Sequence, residues 1–369
     1  MSTPLPGSAS PIRSRAIPAR PVHGGLREAE ACTLGLDPSE VLDFSASVNP
    51  LGPSPRVRDT LARLDPSAYP DPDCAALREA LARLHGVPAS RILVGNGSTE
   101  LIHLTPRALG RPGDYAVVLT PTFGEYEAAC RFTGLEVVEV RASQERDFWW
   151  DMDEACHVFA EEAPALVFLC NPNNPTGVYL DRRAVRRLLD EAPDATLVLD
   201  EAYAPFVETP WPCLDMVENG RVVVLRSMTK DGALAGLRLG YAVAREDVIE
   251  RLRALQPSWS VNAAAQAAGL AALTDVEHLA RARAEVRRAI AYLREALRDM
   301  GLYVAPSLAN FVLTEVGDAP AVRLALLRRN LCVRDCTSFG LPTFIRIGAR
   351  RLPDCQRLVT ALRDALGRE

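Results

Sequence analysis

From about residue 90 to residue 245, the chain repeats one pattern: a short apolar run, a polar loop and a helical stretch. The apolar runs are uninterrupted and rich in β-branched residues, and they read RILVG (91–95), YAVVLT (115–120), ALVFLC (165–170), TLVLD (196–200), RVVVLR (221–226) and YAVA (241–244). Such runs are typical of strands buried on both faces, so they predict a largely parallel sheet with helices on both sides. Ligands of such sheets bind beyond the carboxyl ends of the strands, and the residues after each run are therefore the functional candidates.

The pattern changes after residue 270. An amphipathic stretch at 278–300 predicts a long helix, and a strand, a helix, two strands and a closing helix are predicted after it. This order indicates a compact α+β unit. We expect the Pro-rich segment 21–60 to join this unit because it has no core of its own. The predicted organisation is a disordered arm (1–20), the joining segment (21–60), a large α/β domain (61–265) and a small α+β domain (266–369).

Composition and charge exclude several classes of function. The 369 residues have a formal charge of −5, with acids interspersed among arginines, so no nucleic-acid partner is expected. The sequence contains no run of 18 apolar residues, so no membrane span is predicted. Nine cysteines without a CxxC pair, and five histidines that do not cluster with them, indicate free thiols of a reducing cytoplasm and no metal site. For residues 1–20 a transit peptide is the alternative to a disordered arm.

The basic residues have an unusual composition. Of the 42 Lys and Arg residues, 41 are arginine, and the one lysine is Lys230 in SMTKDGALAGLRLG. A lysine ammonium can lose its proton and become a nucleophile, which a guanidinium cannot do. Lys230 is therefore either a chance survivor of an arginine bias or a reactive amine.

Polar residues follow several of the predicted strands. Ser98 and Thr99 come after the first run and open an apparent helix, where they suit a phosphate or serve as an ordinary cap. Asn174 lies in NPNNPTG, either in a rigid turn or presenting its amide to a ligand. Asp200 ends the run TLVLD, just before Tyr203, and a buried carboxylate there needs a cationic partner unless it caps a helix. Each residue alone has an ordinary structural explanation.

Together these residues form a chemical set. Lys230 follows the run RVVVLR, and Arg238 comes eight residues later. An amine, an acid such as Asp200 and an arginine are the groups that pyridoxal phosphate requires for its aldehyde, ring nitrogen and phosphate. With these motifs, the sequence from about residue 22 onward resembles the fold type I pyridoxal-phosphate enzymes, the aspartate aminotransferase superfamily. The resemblance implies an α/β fold with a mostly parallel central sheet flanked by helices, and a smaller α+β domain.

The resemblance also implies roles for individual residues. Lys230 would form the Schiff base with the cofactor and move protons, and Asp200 would pair with the pyridine nitrogen. Asn174 and Tyr203 would contact the ring hydroxyl. A homodimer with shared active sites is implied as well, since one cofactor contact reaches the neighbouring subunit. The remaining implied cofactor contacts are the phosphate cup, the stacking ring and this subunit-crossing tyrosine: Ser98, Thr99, Ser227 and Arg238; Phe123; and Tyr69.

Within the superfamily, the sequence is similar to the branch of histidinol-phosphate aminotransferase and threonine-phosphate decarboxylase. The motifs HGG (23–25), DFSASVNPLGPSP (43–55) and VRDCTSFGL (333–341) resemble those of the decarboxylase. That resemblance implies that His23 and Asn49 line the substrate pocket, and that Arg334 and Arg346 hold the phosphate and carboxylate. Gly232 departs from the pattern, because these enzymes commonly carry an aromatic residue near this position.

The leading expectation is a decarboxylase of L-threonine O-3-phosphate that yields aminopropanol phosphate for cobalamin synthesis. The alternative is an aminotransferase for histidinol phosphate or a similar phosphorylated amino acid or amino alcohol. The two reactions differ in which Cα bond stands perpendicular to the cofactor ring, and sequence does not resolve that geometry. A non-catalytic regulator is disfavoured, because the 20-residue arm is too short for a DNA-binding module.

Overall fold

The computed structural model describes residues 20–367, so the predicted arm at residues 1–20 lies outside the described part except for Arg20. The described residues form twelve β-strands: β1 (Leu42–Asp43), β2 (Ile92–Asn96), β3 (Tyr115–Thr120), β4 (Glu136–Arg141), β5 (Leu166–Cys170), β6 (Thr196–Asp200), β7 (Val222–Ser227), β8 (Leu239–Val243), β9 (Phe311–Glu315), β10 (Leu331–Cys332), β11 (Arg334–Asp335) and β12 (Phe344–Gly348). They also form twelve α-helices: α1 (Glu28–Thr33), α2 (Pro55–Ala62), α3 (Ala75–His85), α4 (Gly97–Leu109), α5 (Glu125–Thr133), α6 (Met152–Glu162), α7 (Arg182–Glu191), α8 (Glu246–Leu255), α9 (Ala263–Leu273), α10 (Val276–Asp299), α11 (Ala319–Leu327) and α12 (Leu352–Ala365).

Seven strands form the large sheet, in the order β2-β8-β7-β6-β5-β3-β4. Strand β8 is antiparallel to both of its neighbours, and the other pairs are parallel. This confirms the predicted mostly parallel sheet. The edge strand β4 was not predicted, because its sequence EVVEVR mixes charged with apolar residues, as an edge strand with solvent contact requires.

The uninterrupted apolar runs are explained by burial on both faces of this sheet. Val117 and Leu119 of β3 belong to a core shared with helices α3, α6, α7 and α9, whereas Ala116 and Val118 face α4, α5 and α8. Successive side chains of a strand point to opposite faces, so a strand covered on both sides needs apolar residues at every position.

The smaller unit contains the antiparallel sheet β11-β12-β9 and helices α10, α11 and α12. Its core includes Leu293 of α10, Ile345 of β12 and Leu358 of α12, all fully buried. Segment 21–60 contributes to both units, because β1 pairs with β10 while Val57 of α2 lies in the core beneath the large sheet. The domain boundaries given above stay predictions.

The topology brings the candidate residues to one edge. The six mutually parallel strands present their carboxyl ends there, and the antiparallel β8 begins there, directly after Arg238. In the small sheet, Arg334 lies opposite Arg346 in the register of β11 and β12. The functional cavity lies between this edge and the small sheet. No helix within residues 20–367 is long and apolar enough to cross a membrane.

Candidate active site

A cavity of about 350 Å³ collects most of the predicted site residues. It is lined by side chains from the large-sheet edge, the N-terminal segment and the small sheet, among them Ser98, Thr99, Phe123, Asn174, Asp200, Tyr203, Ser227, Lys230, Arg238, His23, Arg334 and Arg346. Tyr69 and Asn49 do not line it. The structure thus brings most of the candidates together, and their individual roles stay predictions.

Lys230 is well placed to act as a nucleophile. Its Nζ lies 5.7 Å from the centroid of the Tyr203 ring. Burial, followed by the positive charges of Arg346 and Arg238, lowers the pKa of Lys230 to about 8, and Asp200 opposes the shift. An amine with this pKa is partly neutral near physiological pH, which nucleophilic attack requires.

Asp200 is a buried carboxylate that keeps its charge through hydrogen bonds. Burial raises the pKa of Asp200 to about 6, against hydrogen bonds from Tyr126 and the Ala202 amide that lower it. The Tyr126 hydroxyl donates to Oδ2 over 2.8 Å, and the Ala202 N–H donates to Oδ1 over 2.9 Å. A carboxylate held ionised in an apolar site is suited to a cationic partner such as a protonated ring nitrogen.

Tyr126 is a site residue that the sequence analysis missed. It is fully buried, lines the cavity and stacks on Phe168 with 5.2 Å between ring centroids. Burial, and then the negative charge of Asp200, raises the pKa of Tyr126 well above its usual value, so the phenol keeps its proton and donates. The signal was the spacing of Phe123 and Tyr126 in FGEY, which brings both rings to one side of the chain.

Two glycines shape the proposed phosphate cup. A Cβ on Gly97 would lie 2.7 Å from Arg238 Nη2, and one on Gly240 would lie 2.4 Å from the Ser98 amide nitrogen. Gly97 and Arg238 both adopt positive φ, +74° and 62°. The glycines therefore let the guanidinium and the start of helix α4 approach each other, and free amides at a helix N-terminus together with a guanidinium suit a phosphate.

The two arginines of the small sheet already have protein partners. Arg346 donates from Nη1 to Asn174 Oδ1 and from Nη2 to the Ser45 carbonyl. Arg334 donates to the carbonyls of Val22 and His23 and to the Ser338 hydroxyl. Both guanidiniums lie at the cavity, and a substrate anion would take over or share these bonds.

Asn49 was expected in the substrate pocket, but the structure places it behind the lysine loop. Its Nδ2 donates to the Asp231 carbonyl over 2.9 Å, and its Oδ1 accepts from the Leu51 amide. Its own amide donates to the Lys230 carbonyl over 2.8 Å. The side chain is thus occupied in holding the segment that carries Lys230.

Gly232 has a physical explanation. A Cβ at this position would lie 2.8 Å from the Met228 carbonyl oxygen. An aromatic residue at this position, which the resemblance led us to expect, would require the backbone to shift.

Tyr69 lies on the surface, with 82% of its area exposed, and its ring is 4.9 Å from that of Trp259. Trp259 is itself 49% exposed and adopts a positive φ of 55°. Within its own chain, Tyr69 is therefore not a cofactor contact.

The family model of aminotransferase class I and II matches residues 39–362. The chain belongs to this family. It is 41% identical to the histidinol-phosphate aminotransferase of Symbiobacterium thermophilum over 95% of this chain and 96% of that protein. The structure is similar to that of histidinol-phosphate aminotransferase from Sinorhizobium meliloti in complex with pyridoxal-5'-phosphate, with a TM-score of 0.86, 24% identity and coverage of 98% and 99%.

The leading expectation of a decarboxylase is wrong in the light of these relatives. The L-threonine-O-3-phosphate decarboxylase of Porphyromonas gingivalis has a similar structure, with a TM-score of 0.78, but is 30% identical, over 88% of this chain and 99% of that one. Curated relatives at 41%, 38% and 35% identity are named histidinol-phosphate aminotransferase.

Pyridoxal 5'-phosphate is the cofactor of this aminotransferase-family enzyme, and the residues present fit it. The cavity holds a single amine of lowered pKa, a buried ionised carboxylate and a guanidinium beside a helix N-terminus. These are the groups that its aldehyde, ring nitrogen and phosphate need.

Proposed function

We propose that this enzyme transfers an amino group from a phosphorylated amino alcohol or amino acid, histidinol phosphate or a close analogue, to a 2-oxo acid. The observation that carries the proposal is the 41% identity to a histidinol-phosphate aminotransferase over nearly the full length of both chains. The cavity supports it, because one amine lies near two arginines that suit anionic groups.

The chain supplies binding, orientation and proton transfer. When bound, pyridoxal phosphate supplies an aldehyde carbon and a conjugated ring that withdraws electrons from the substrate Cα. Lys230 moves the proton at that Cα with Nζ, and a pKa of about 8 suits this work near neutral pH. Asp200 would hold the proton on the ring nitrogen. Asn174 and Tyr203 would hold the ring, and Phe123 would pack against it.

The substrate contacts follow from the charges. Arg346 is close enough to Lys230 for its positive charge to lower the pKa of the lysine. A substrate carboxylate bound by Arg346 would therefore lie near the reacting amine. Arg334, directly across the strand pair, would bind the phosphate together with His23. An aminotransferase of this kind accepts one substrate with a carboxylate and one with a phosphate, and two neighbouring guanidiniums allow both.

The proposal is tested by two half-reactions on the purified holoenzyme. Histidinol phosphate is added without an oxo acid, and the absorbance of the cofactor is followed. We expect one equivalent of the cofactor to convert to its pyridoxamine form, and 2-oxoglutarate to restore the original absorbance. An unchanged spectrum after addition of histidinol phosphate would overturn the proposal.

We further propose a homodimer with shared active sites. The support is the exposed pair Tyr69 and Trp259, since aromatic side chains of this exposure are typical of interfaces. Mixed dimers of Lys230→Ala and Tyr69→Ala subunits test this, because one site of each hybrid is intact. We expect activity to return on subunit exchange, and hybrids that form without regaining activity would exclude a shared site.

We propose the cytoplasm as the location of the enzyme. All nine cysteines lie within residues 20–367 and are free thiols. Free buried thiols persist in reducing compartments, and this supports the proposal. Fractionation of the native cell with an antibody to the chain would test it, and recovery in an oxidising compartment would refute it.

A further inference from the structure

A carboxylate next to the cavity-lining residue His23 lies between two imidazoles. Glu125 begins helix α5, and its side chain is only 10% exposed. Its Oε1 is 2.6 Å from His23 Nε2, and its Oε2 is 2.6 Å from His103 Nε2. Hydrogen bonds from His103 and then His23 lower the pKa of Glu125 to about 2, against the effect of burial. The carboxylate is therefore ionised at any physiological pH.

This ionisation fixes the direction of both hydrogen bonds. An ionised carboxylate only accepts, so each imidazole must donate its Nε2–H. The Nδ1 atom of His23 takes no part in this bond and stays available. His23 lines the cavity, with its ring centroid 5.3 Å from that of Phe123, whereas His103 of helix α4 does not line it.

His23 also belongs to a segment that joins the two units. The carbonyls of Val22 and His23 accept from Arg334 of the small sheet, and the Gly25 amide donates to the Ser45 hydroxyl. The bond from His23 to Glu125 ties the same segment to helix α5, beside the large sheet. Arg334 thus holds the backbone of His23 from the small sheet, and Glu125 holds its imidazole from helix α5.

We propose that Glu125 is a positioning residue which, supported by His103, fixes the orientation of His23 so that its Nδ1–H recognises the phosphate end of the substrate. The inference rests on the proposed function because it concerns the phosphorylated substrate. With the carboxylate accepting at Nε2, the ring binds a phosphate through an Nδ1 that also carries a proton, because a phosphate oxygen accepts. Glu125 therefore acts through His23 and does not contact the substrate.

The hydrogen bonds that Glu125 makes to His23 and His103 can be tested without any substrate. Ring-nitrogen NMR of histidine-labelled holoenzyme reports which nitrogen of each imidazole carries the proton. We expect Nε2–H signals for His23 and His103, and we expect Glu125→Gln to change both: the two imidazoles contact different carboxylate oxygens, and in glutamine one of these atoms becomes an amide nitrogen that donates, while the negative charge is lost. Unchanged signals in that variant would overturn the inference, even if histidinol phosphate proved not to be the substrate.

The selection of phosphate is tested by comparing two amino donors. We expect Glu125→Gln to raise KM for histidinol phosphate about tenfold, with kcat changed less than about twofold. The same variant should raise KM for glutamate, whose anionic groups are carboxylates, by a smaller factor. His103→Phe should give a smaller change in the same direction. Equal losses with both donors would show a merely structural role and overturn the inference.

A matched control is available in Glu285. This carboxylate is also largely shielded, with 15% of its side chain exposed, and it accepts from Arg288 and the Leu352 amide. Glu285 lies on α10, outside the cavity lining. Glu285→Gln should leave KM and kcat unchanged with both amino donors. A rise in KM for histidinol phosphate in this control would attribute the effect to general loosening and would also overturn the inference.

Discussion

The two halves of the cavity are built differently. On the cofactor side, Asp200 is the last residue of strand β6 and Lys230 follows strand β7 within a few residues, so the sheet itself fixes their positions. On the substrate side, His23 belongs to the N-terminal segment, whereas Arg334 and Arg346 belong to the small sheet. Hydrogen bonds across more than 300 residues hold them, from Arg334 to the His23 carbonyl and from Arg346 to the Ser45 carbonyl. The cofactor half is thus specified locally, whereas the substrate half depends on long-range contacts that a ligand must share.

The comparison predicts that the cofactor half fails completely when one group is removed. Lys230→Arg should lower kcat by about 10⁴-fold or more, because a guanidinium neither attacks the cofactor aldehyde nor gives up a proton. Stopped assays and the absorbance of the bound cofactor would measure this. Lys230→Ala should recover part of its rate when a small amine is added, and wild-type turnover in either variant would contradict the assignment.

The next largest effect concerns the phosphate cup. Gly97→Ala should weaken cofactor binding about 100-fold, because the new Cβ would meet Arg238 at 2.7 Å and the positive φ would be strained. Titration of the apoenzyme with pyridoxal phosphate gives the dissociation constant.

Gly86→Ala is the matched control for this change. Gly86 has a similar φ of +66°, but no atom lies within 4 Å of its added Cβ. It should lose stability through backbone strain and keep its cofactor affinity. Equal weakening in both variants would mean that strain, not the approach of Arg238, sets the affinity.

A smaller loss of activity is expected when the residue that supports Asp200 is changed. Tyr126→Phe removes a hydrogen bond that lowers the pKa of Asp200, so this pKa should rise from about 6. Activity that needs the ionised carboxylate should then appear at higher pH, with the acid limb of kcat/KM moved up by about one unit and the rate at pH 6 reduced about fivefold.

The control for this prediction is Tyr241→Phe. Tyr241 is also a buried tyrosine of the large-sheet core, and its hydroxyl hydrogen-bonds His85 outside the cavity lining. The acid limb of kcat/KM should stay at the same pH in Tyr241→Phe. An unmoved limb in Tyr126→Phe would show that the phenol does not influence Asp200.

Much of the fold and of the cofactor half could be predicted from the sequence for a physical reason. Strands buried on both faces need apolar residues throughout, so the sequence marks where each strand ends and which polar residue follows. Tyr126 and Glu125 were missed because their partners, Asp200 and His23, are 74 and 102 residues away. The reaction was predicted wrongly because it depends on which Cα bond of the substrate stands perpendicular to the cofactor ring, and motifs do not encode that geometry.

Asn49 gives the finest test of the boundary between the halves. Sequence reasoning placed it with the substrate, whereas its side chain supports the Asp231 carbonyl beside Lys230. Asn49→Ala should therefore lower kcat about threefold with little change in KM for either substrate, and lower the free energy of unfolding by about 1–2 kcal/mol through lost buried hydrogen bonds. Steady-state kinetics and urea unfolding measure the two effects. A rise in KM for one substrate alone, at unchanged stability, would return Asn49 to the substrate half, because support of the segment that carries Lys230 should affect both substrates alike.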